Sequence, residues 1–300
     1  MLIVMLTLLG LAGLYFATRL VRAVAAQNTW PKVEAIVVGA FTNFFDTLGV
    51  GSLAPTMAWL KLRKLVPDSM IPPTMLAGHT LPTVAQAVIF LALLGVFVDP
   101  VLLVSCGVAL LVGAVLGAPL VSRASVWLVQ LIVGAALILA ALLYAMSNLG
   151  MMPVGGSAAV LPPLWTAVAI CANLVFGMLL NFGVGNYSPS LVMFSLMGMD
   201  PRFAFPIMAG GAALAATAAS SRHVAIGDID LRIAAGLALG GIPAVLIAAF
   251  VVKSMGVELL RWLVVVVVLY TAVVMVRAAI VGRRAELRAR SSVVGSRAGT

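Results

Sequence analysis

One short helix-breaking stretch occurs twice in this chain, each time inside an apolar segment. The first copy reads Gly49-Val50-Gly51-Ser52-Leu53-Ala54-Pro55-Thr56, the second Gly183-Val184-Gly185-Asn186-Tyr187-Ser188-Pro189-Ser190. Both have the form G-V-G-x-x-x-P-[ST]. Two glycines and a proline this close together interrupt an α-helix. In hydrocarbon, backbone released from a helix is tolerated only inside protein or beside a cavity. Matching interruptions in two halves of a chain therefore point to a binding site built where the halves meet. Glycine also serves close helix packing in membranes, but that use gives small-x-x-x-small spacing without a following proline.

The flanking segments are apolar enough for a membrane. The chain of 300 residues is 63% hydrophobic and 9% charged, with a mean hydropathy of +1.20. Soluble domains are about half apolar and a quarter charged, so the composition specifies a polytopic membrane protein forming one bundle. The formal charge of +9 is not a nucleic-acid footprint. Its basic residues fall in short loops and the tail, as the positive-inside rule requires. Cys106 and Cys171 lie in apolar runs without CxxC spacing and read as small core residues, with no disulfide or metal site expected. Residues 2–18 are apolar and Ala23-Val24-Ala25-Ala26 mimics a leader cleavage site, yet Arg19 and Arg22 follow the apolar run. That is the reverse of a secretory signal, so a retained first helix with its N-terminus outside is expected.

Runs long enough to span, about 20 residues, occur near 1–21, 72–98, 100–121, 126–147, 203–220, 231–252 and 258–281, and the broken segments are 34–62 and 165–199. Pro31, Pro72-Pro73, Asp99-Pro100, Pro162-Pro163, Asp200-Pro201 and Gly227-Asp228 mark the ends. The likeness between halves continues past the boxes. A turn with basic residues follows each, then Pro73 with Ala77-Gly78 or Pro206 with Gly210-Gly211. Next come Gly113-x-x-x-Gly117 and Gly236-x-x-x-Gly240, each followed by a basic residue, Arg123 or Lys253. The expected organisation is an extra transmembrane helix (1–30), a first repeat (31–147), a linker (148–163), a second repeat (164–281) and a basic, solvated, partly disordered tail (282–300).

Charge placement bears on how the broken segments run. Let the tail with Arg283, Arg284, Arg288 and Arg290 be cytoplasmic. Two full crossings then put Lys61, Arg63 and Lys64 on the opposite side. If each broken segment instead dips in and returns as two half-helices, Arg19, Arg22, Lys32, Lys61, Arg63, Lys64, Arg123, Arg222 and Arg232 all fall inside. Asp99 and the uncharged linker fall outside, and only Arg202 and the Lys253/Arg261 region oppose the pattern. The first repeat then starts inside and the second outside. The expected fold is thus all-α and polytopic, two inverted repeats with helices broken at the midplane, in the plasma (inner) membrane with its N-terminus outside and C-terminus cytoplasmic.

Each break starts a half-helix near Ser52 or near Asn186 to Ser188, and a helix N-terminus carries unpaired N–H groups and partial positive charge. Two such ends in low dielectric suit a small anion. Gly49, Gly51, Gly183 and Gly185 would let it approach the backbone, while Thr47, Ser52, Tyr187, Ser188, Asn43, Asn181 and Asn186 supply neutral donors. No Lys or Arg lies near the breaks, which fits reversible binding. Asp46 is the carboxylate beside a break, and either carries a coupled proton or caps a half-helix. His79 is either a proton relay or a hydrogen-bonded packing residue; Gln86 is a weaker candidate on the same helix. Asp228 and Asp230 read as helix caps at a cytoplasmic turn, and Trp30, Trp59, Trp127, Trp165 and Trp262 as interfacial anchors. No cofactor is expected. The glycine-rich faces would permit a homodimer.

Two Gly-x-Gly boxes, each followed by Pro and opening one half of a helical membrane protein, resemble the sulfite exporter TauE/SafE family, the sulfonate uptake permease superfamily. Gly227-Asp228-Ile229-Asp230 leading to Gly240-Gly241-Ile242-Pro243 is similar to that family's second-half pattern. The resemblance covers most of residues 34–281. The family box usually reads G-x-G-G-G before its Pro, whereas here Ser52-Leu53 and Asn186-Tyr187 follow the second glycine. The resemblance implies movement, without ATP, of sulfite, thiosulfate or organosulfonate anions, but neither which of them nor the direction; the expected function is a secondary transporter, an exporter, working by alternating access. A channel for similar solutes, a membrane enzyme acting on lipid and an assembly factor are the competing readings. The enzyme is disfavoured because no His-x-x-x-His or Asp-x-x-Asp pair lies in the membrane segments.

Overall fold

The computed structural model describes residues 2–67, 70–94, 98–117, 125–151, 158, 160–180 and 185–298. In chain order its helices are α1 (Leu2–Ala26), α2 (Val33–Thr47), α3 (Leu53–Arg63), α4 (Ile71–Leu94), α5 (Pro100–Gly117), α6 (Val126–Asn148), α7 (Pro163–Leu180), α8 (Tyr187–Leu196), α9 (Pro201–Ile226), α10 (Leu231–Ser254) and α11 (Val257–Ala298). Eight of them, all except α2, α3 and α8, are long and apolar enough to cross a membrane. The chain is a multi-pass, all-α membrane protein.

The broken segments are hairpins of half-helices. Glu34, at the start of α2, accepts from Trp59 Nε1 at 3.0 Å and from Arg63 Nε at 2.9 Å, both near the end of α3. The chain therefore enters and leaves the bundle at the same end. That end also holds the α9–α10 turn, because Lys32 N donates to the Arg232 carbonyl and Asp230 N to Thr74 Oγ1. The second hairpin enters from the other end. Ala158, ahead of α7, exchanges backbone hydrogen bonds with Gly198 and Asp200, just beyond α8. Asp200 in turn caps the start of α9, which runs 26 residues to the first end. Though α7 alone has the length to span, its chain turns back through α8.

Helices of the two halves correspond in order, α2–α6 to α7–α11, and their packing is exchanged in the same way. α2 lies along α10 as α7 lies along α5, and α4 packs on α10 as α9 packs on α5. α4 packs on its counterpart α9, and α6 on its counterpart α11. Small residues allow the exchanged contacts. A Cβ added at Gly240 would overlap the Ile36 carbonyl, and one at Gly177 the Leu110 carbonyl. α1 stands outside the correspondence and lies across α4 and α9. Its Phe16 and Leu20 are buried with Ala77, Ile229 and Ala234.

Lys32, Lys61, Arg63, Lys64, Arg222 and Arg232 collect at the first hairpin's end of the bundle, as the dipping arrangement requires. Arg202 lies at the other end, and its charge is met by Asp200 at 2.6 Å. Asp230 caps α10 by accepting from Arg232 N and Ile233 N, whereas Asp228 pairs with His223 at 2.9 Å. Two expectations are corrected. The tail is a continuation of α11, not an irregular segment: the helix runs unbroken to Ala298, held where Trp127 Nε1 donates to Glu286 and Arg283 lies over the Trp127 ring. Cys106 is buried but Cys171 is exposed, because α7 turns most of its surface outward. Arg123 and linker residues 152–157 and 159 lie outside the described residues.

Gly240→Leu must displace α2 backbone, which costs about 3 kcal/mol or more. The expected result is loss of the monodisperse peak in detergent size-exclusion chromatography. Gly10→Leu, at a position with nothing within 4 Å of an added Cβ, is expected to keep it.

Candidate functional site

The first break is made by Gly49 and Gly51, whose φ values of 98° and 88° lie in the left-handed region that favours glycine. α2 closes with Gly49 N donating to the Asp46 carbonyl and Val50 N to the Phe45 carbonyl. Two residues later Ser52 opens α3, and its N–H donates to Asp46 Oδ1 at 2.7 Å. The carboxylate at the end of one half-helix thus caps the start of the next. This hydrogen bond satisfies a donor that lipid would leave unpaired.

The second break is built differently. Asn186 occupies the cap position of α8, but its side chain makes no capping bond. Its amide reaches instead to the Met208 carbonyl on α9 at 3.3 Å. The Tyr187 side chain is 7% exposed, and its hydroxyl is buried without a hydrogen-bond partner. Aligning the boxes sets Asp46 against Leu180 and Ser52 against Asn186. The second half therefore has no carboxylate where the first has one.

The breaks meet. Ser188 Oγ lies 2.6 Å from Thr271 Oγ1 on α11 and 3.4 Å from the Gly49 carbonyl. Each hydroxyl has one proton and a carbonyl as a second acceptor, Val267 for Thr271 at 3.0 Å and Gly49 for Ser188, so either can donate in the short bond. Beside this junction is a cavity of about 330 Å³. Asp46, Gly49, Gly51, Ser52 and His79 line it from the first half, and Gly185, Asn186, Tyr187 and Ser188 from the second. The remaining wall is apolar or neutral: Ala212, Ala215, Ala216 and Ala219 of α9, Leu76 and Thr83 of α4, and Tyr270, Val274 and Met275 of α11. No Lys or Arg lines it among the described residues.

His79 sits between the cavity and a buried polar chain. Its Nδ1 lies 3.0 Å from Asn43 Oδ1 and its Nε2 2.9 Å from Thr56 Oγ1. Asn43 gives its own amide to the Gly39 carbonyl, which leaves Oδ1 to accept from the imidazole. Thr56 Oγ1 also lies 2.8 Å from the Ser52 carbonyl. A hydroxyl has one proton. With neutral imidazole, Thr56 donates to Nε2; with imidazolium, Nε2 donates to Thr56 and Thr56 to Ser52. The residue that opens α3 is thus linked by one rotating hydroxyl to the protonation of His79.

Of the predicted site residues, Asp46, Gly49, Gly51, Ser52, His79, Gly185, Asn186, Tyr187 and Ser188 come together. Asn43 does not line the cavity; it stands behind His79 as a positioning residue. Thr47 donates to the Asn43 carbonyl inside α2. Gly183 and Asn181 lie outside the described residues. Gln86 is buried away from the cavity with both amide atoms unpartnered. Thr56, Tyr270, Thr271 and the alanine face of α9 escaped the sequence reading. A Tyr-Thr pair within the valine-rich run of α11 was the available signal for two of them.

Comparison with family models, curated proteins and solved structures finds no match. The fold and the cavity therefore define a class, a polytopic helical membrane protein with two re-entrant hairpins meeting at a central cavity.

His79→Ala leaves Asn43 Oδ1 buried without its donor and is expected to destabilise the protein by about 2 kcal/mol. Thermal unfolding in detergent measures this. The double variant with Asn43→Ala should cost less than the sum of the two, since both remove one bond.

Proposed function

We propose that the chain is a secondary transporter of a small sulfur-containing anion, such as sulfite, thiosulfate or an organosulfonate, working by alternating access, with export as its direction. The observation that carries this reading is the meeting of two half-helix starts, entering from opposite ends, at one cavity that no Lys or Arg lines among the described residues. Half-helix N-termini offer N–H groups and dipole to an anion, and their number and neutrality suit a solute that must also leave. Hairpins entering from opposite ends give two related gates around one site, as alternating access needs. The likeness of the doubled box to the TauE/SafE family supports a sulfur oxyanion. The absence of any cluster of acids and histidines that could hold a metal, among the described residues, offers no support for the membrane-enzyme alternative.

The basic end of the bundle is assigned to the cytoplasm of a plasma (inner) membrane. α1 then begins outside, and α11 ends inside. Coupling is assigned to protons through Asp46 and His79, the titratable residues that line the cavity on the first half.

Proteoliposomes should take up labelled sulfite, thiosulfate or an alkanesulfonate with saturation. Gly185→Leu should abolish uptake: its φ is ordinary, and an added Cβ meets open space, so the side chain fills the cavity without forcing the backbone. Normal uptake by that variant would remove the breaks from the pathway. Asp46→Asn should keep substrate binding and lose acceleration by an imposed pH gradient. Retained pH-driven uptake would take Asp46 out of coupling.

A further inference from the structure

The two breaks differ in one respect that their shared sequence pattern conceals. In the first, an anion already occupies the half-helix start: Asp46 Oδ1 accepts from Ser52 N at 2.7 Å. In the second, the matching positions are Leu180 and Asn186, and both line the cavity. α8 is a ten-residue helix, and its cap side chain is turned away to α9. Tyr187, the first residue of α8, lines the cavity, and its hydroxyl is buried and unpartnered. Buried polar groups are nearly always hydrogen-bonded, so one that is not needs an explanation. A ligand oxygen in the cavity supplies it.

We infer that the second hairpin holds the anionic group of the substrate at the start of α8, beside the Tyr187 hydroxyl, in the position that the Asp46 carboxylate fills in the first hairpin. This inference rests on the transport reading for its physiological meaning, but the site itself is defined by binding. It makes the cavity a one-anion site, because the start of the first half-helix is already taken by Asp46. Two consequences define the ligand class. The ligand carries one negative charge, because among the described residues no Lys or Arg lines the cavity to offset a second. It also carries a short apolar tail, because Leu76, Ala212, Ala216, Val274 and Met275 line the cavity. A volume of about 330 Å³ is at the low end of small-molecule sites, roughly 300–1,000 Å³, and limits the tail to a few carbons. A small alkanesulfonate fits this description; thiosulfate, a dianion without a tail, does not.

The full chain, purified and reconstituted, tests this with labelled ethanesulfonate and labelled thiosulfate. Binding is read as ligand-induced thermal stabilisation in detergent, and flux as uptake into proteoliposomes. Wild type is expected to bind and move ethanesulfonate at least 30-fold better than thiosulfate. L180D, which installs in the second hairpin the carboxylate that the first already has, should lose binding and uptake at least 50-fold relative to L180N, which differs by the charge alone. L180D should also melt higher than L180N without ligand, because its carboxylate caps α8. Tyr187→Phe should raise the melting temperature without ligand, since it removes an unpaired buried hydroxyl, and weaken ethanesulfonate binding about fivefold. Those opposite signs separate a ligand role from a structural one. Equal ethanesulfonate binding by L180D and L180N, or thiosulfate handled as well as ethanesulfonate, overturns the inference while leaving the carrier reading in place. Ethanesulfonate binding that L180D abolishes, with no flux in wild type, upholds the site and overturns the carrier reading. No ethanesulfonate binding by folded wild type overturns the inference.

Discussion

A backbone that leaves its helix in hydrocarbon must find partners for its N–H and C=O groups, and the architecture of this protein answers that requirement. The first broken segment packs on α4 and α10, the second on α5, α6, α9 and α11, and each draws its partners from within the bundle. The hydrogen bond from Ser52 N to Asp46 is the shortest such answer: the first half-helix carries the cap of the second. That bond explains why an acid is present in an otherwise apolar interior. It also explains why α3 starts where it does, six residues after the last residue of a helix that would otherwise continue.

The polar chain behind the cavity extends this local solution into a mechanical one. Asn43 belongs to α2, Thr56 to α3 and His79 to α4, so the imidazole ties both arms of the first hairpin to a full-length helix. The second hairpin has a lighter tie, a hydroxyl pair between Ser188 and α11 and an amide contact from Asn186 to α9. The halves thus share a backbone plan and differ in side-chain chemistry. The first is fixed by its own acid and histidine, whereas in the second the Tyr187 hydroxyl is buried without a partner.

Much of this plan was legible in the sequence, because breaks in apolar segments are governed by backbone chemistry that glycine and proline announce. The doubled box located both half-helix starts, and the placement of Lys61, Arg63 and Lys64 pointed to hairpins that return to their own side. The Glu34 contacts with Trp59 and Arg63 confirm that return for the first. What a linear reading lacks is the rotation of each helix about its axis. Asn43 and Asp46 are three residues apart on α2, yet only Asp46 lines the cavity. The Leu180 position is informative only as the missing partner of Asp46, a contrast that emerges once the Ser52 bond is seen. Cys171 reads as core by composition and is exposed because α7 has few neighbours, which hydrophobicity alone does not report. The tail was misread for the same reason: Trp127 and Glu286 lie on different helices, and their bond carries α11 beyond the apolar run.

The exchanged packing has a consequence for how the protein is made. α2 emerges early from the ribosome, but the helix it lies along, α10, is among the last to be synthesised. Until α10 arrives, Gly39 has no neighbouring backbone to approach, and the half-helix bearing Asn43 and Asp46 has no complete protein surround. A short, polar-bearing segment of this kind has no reason to enter lipid on its own. The first hairpin is therefore completed after the second half has inserted, and biogenesis of the chain closes from its end toward its beginning. Non-local closure of this kind is slow and leaves an intermediate with exposed interior surface. A cell that makes this protein has to shelter that intermediate within the membrane.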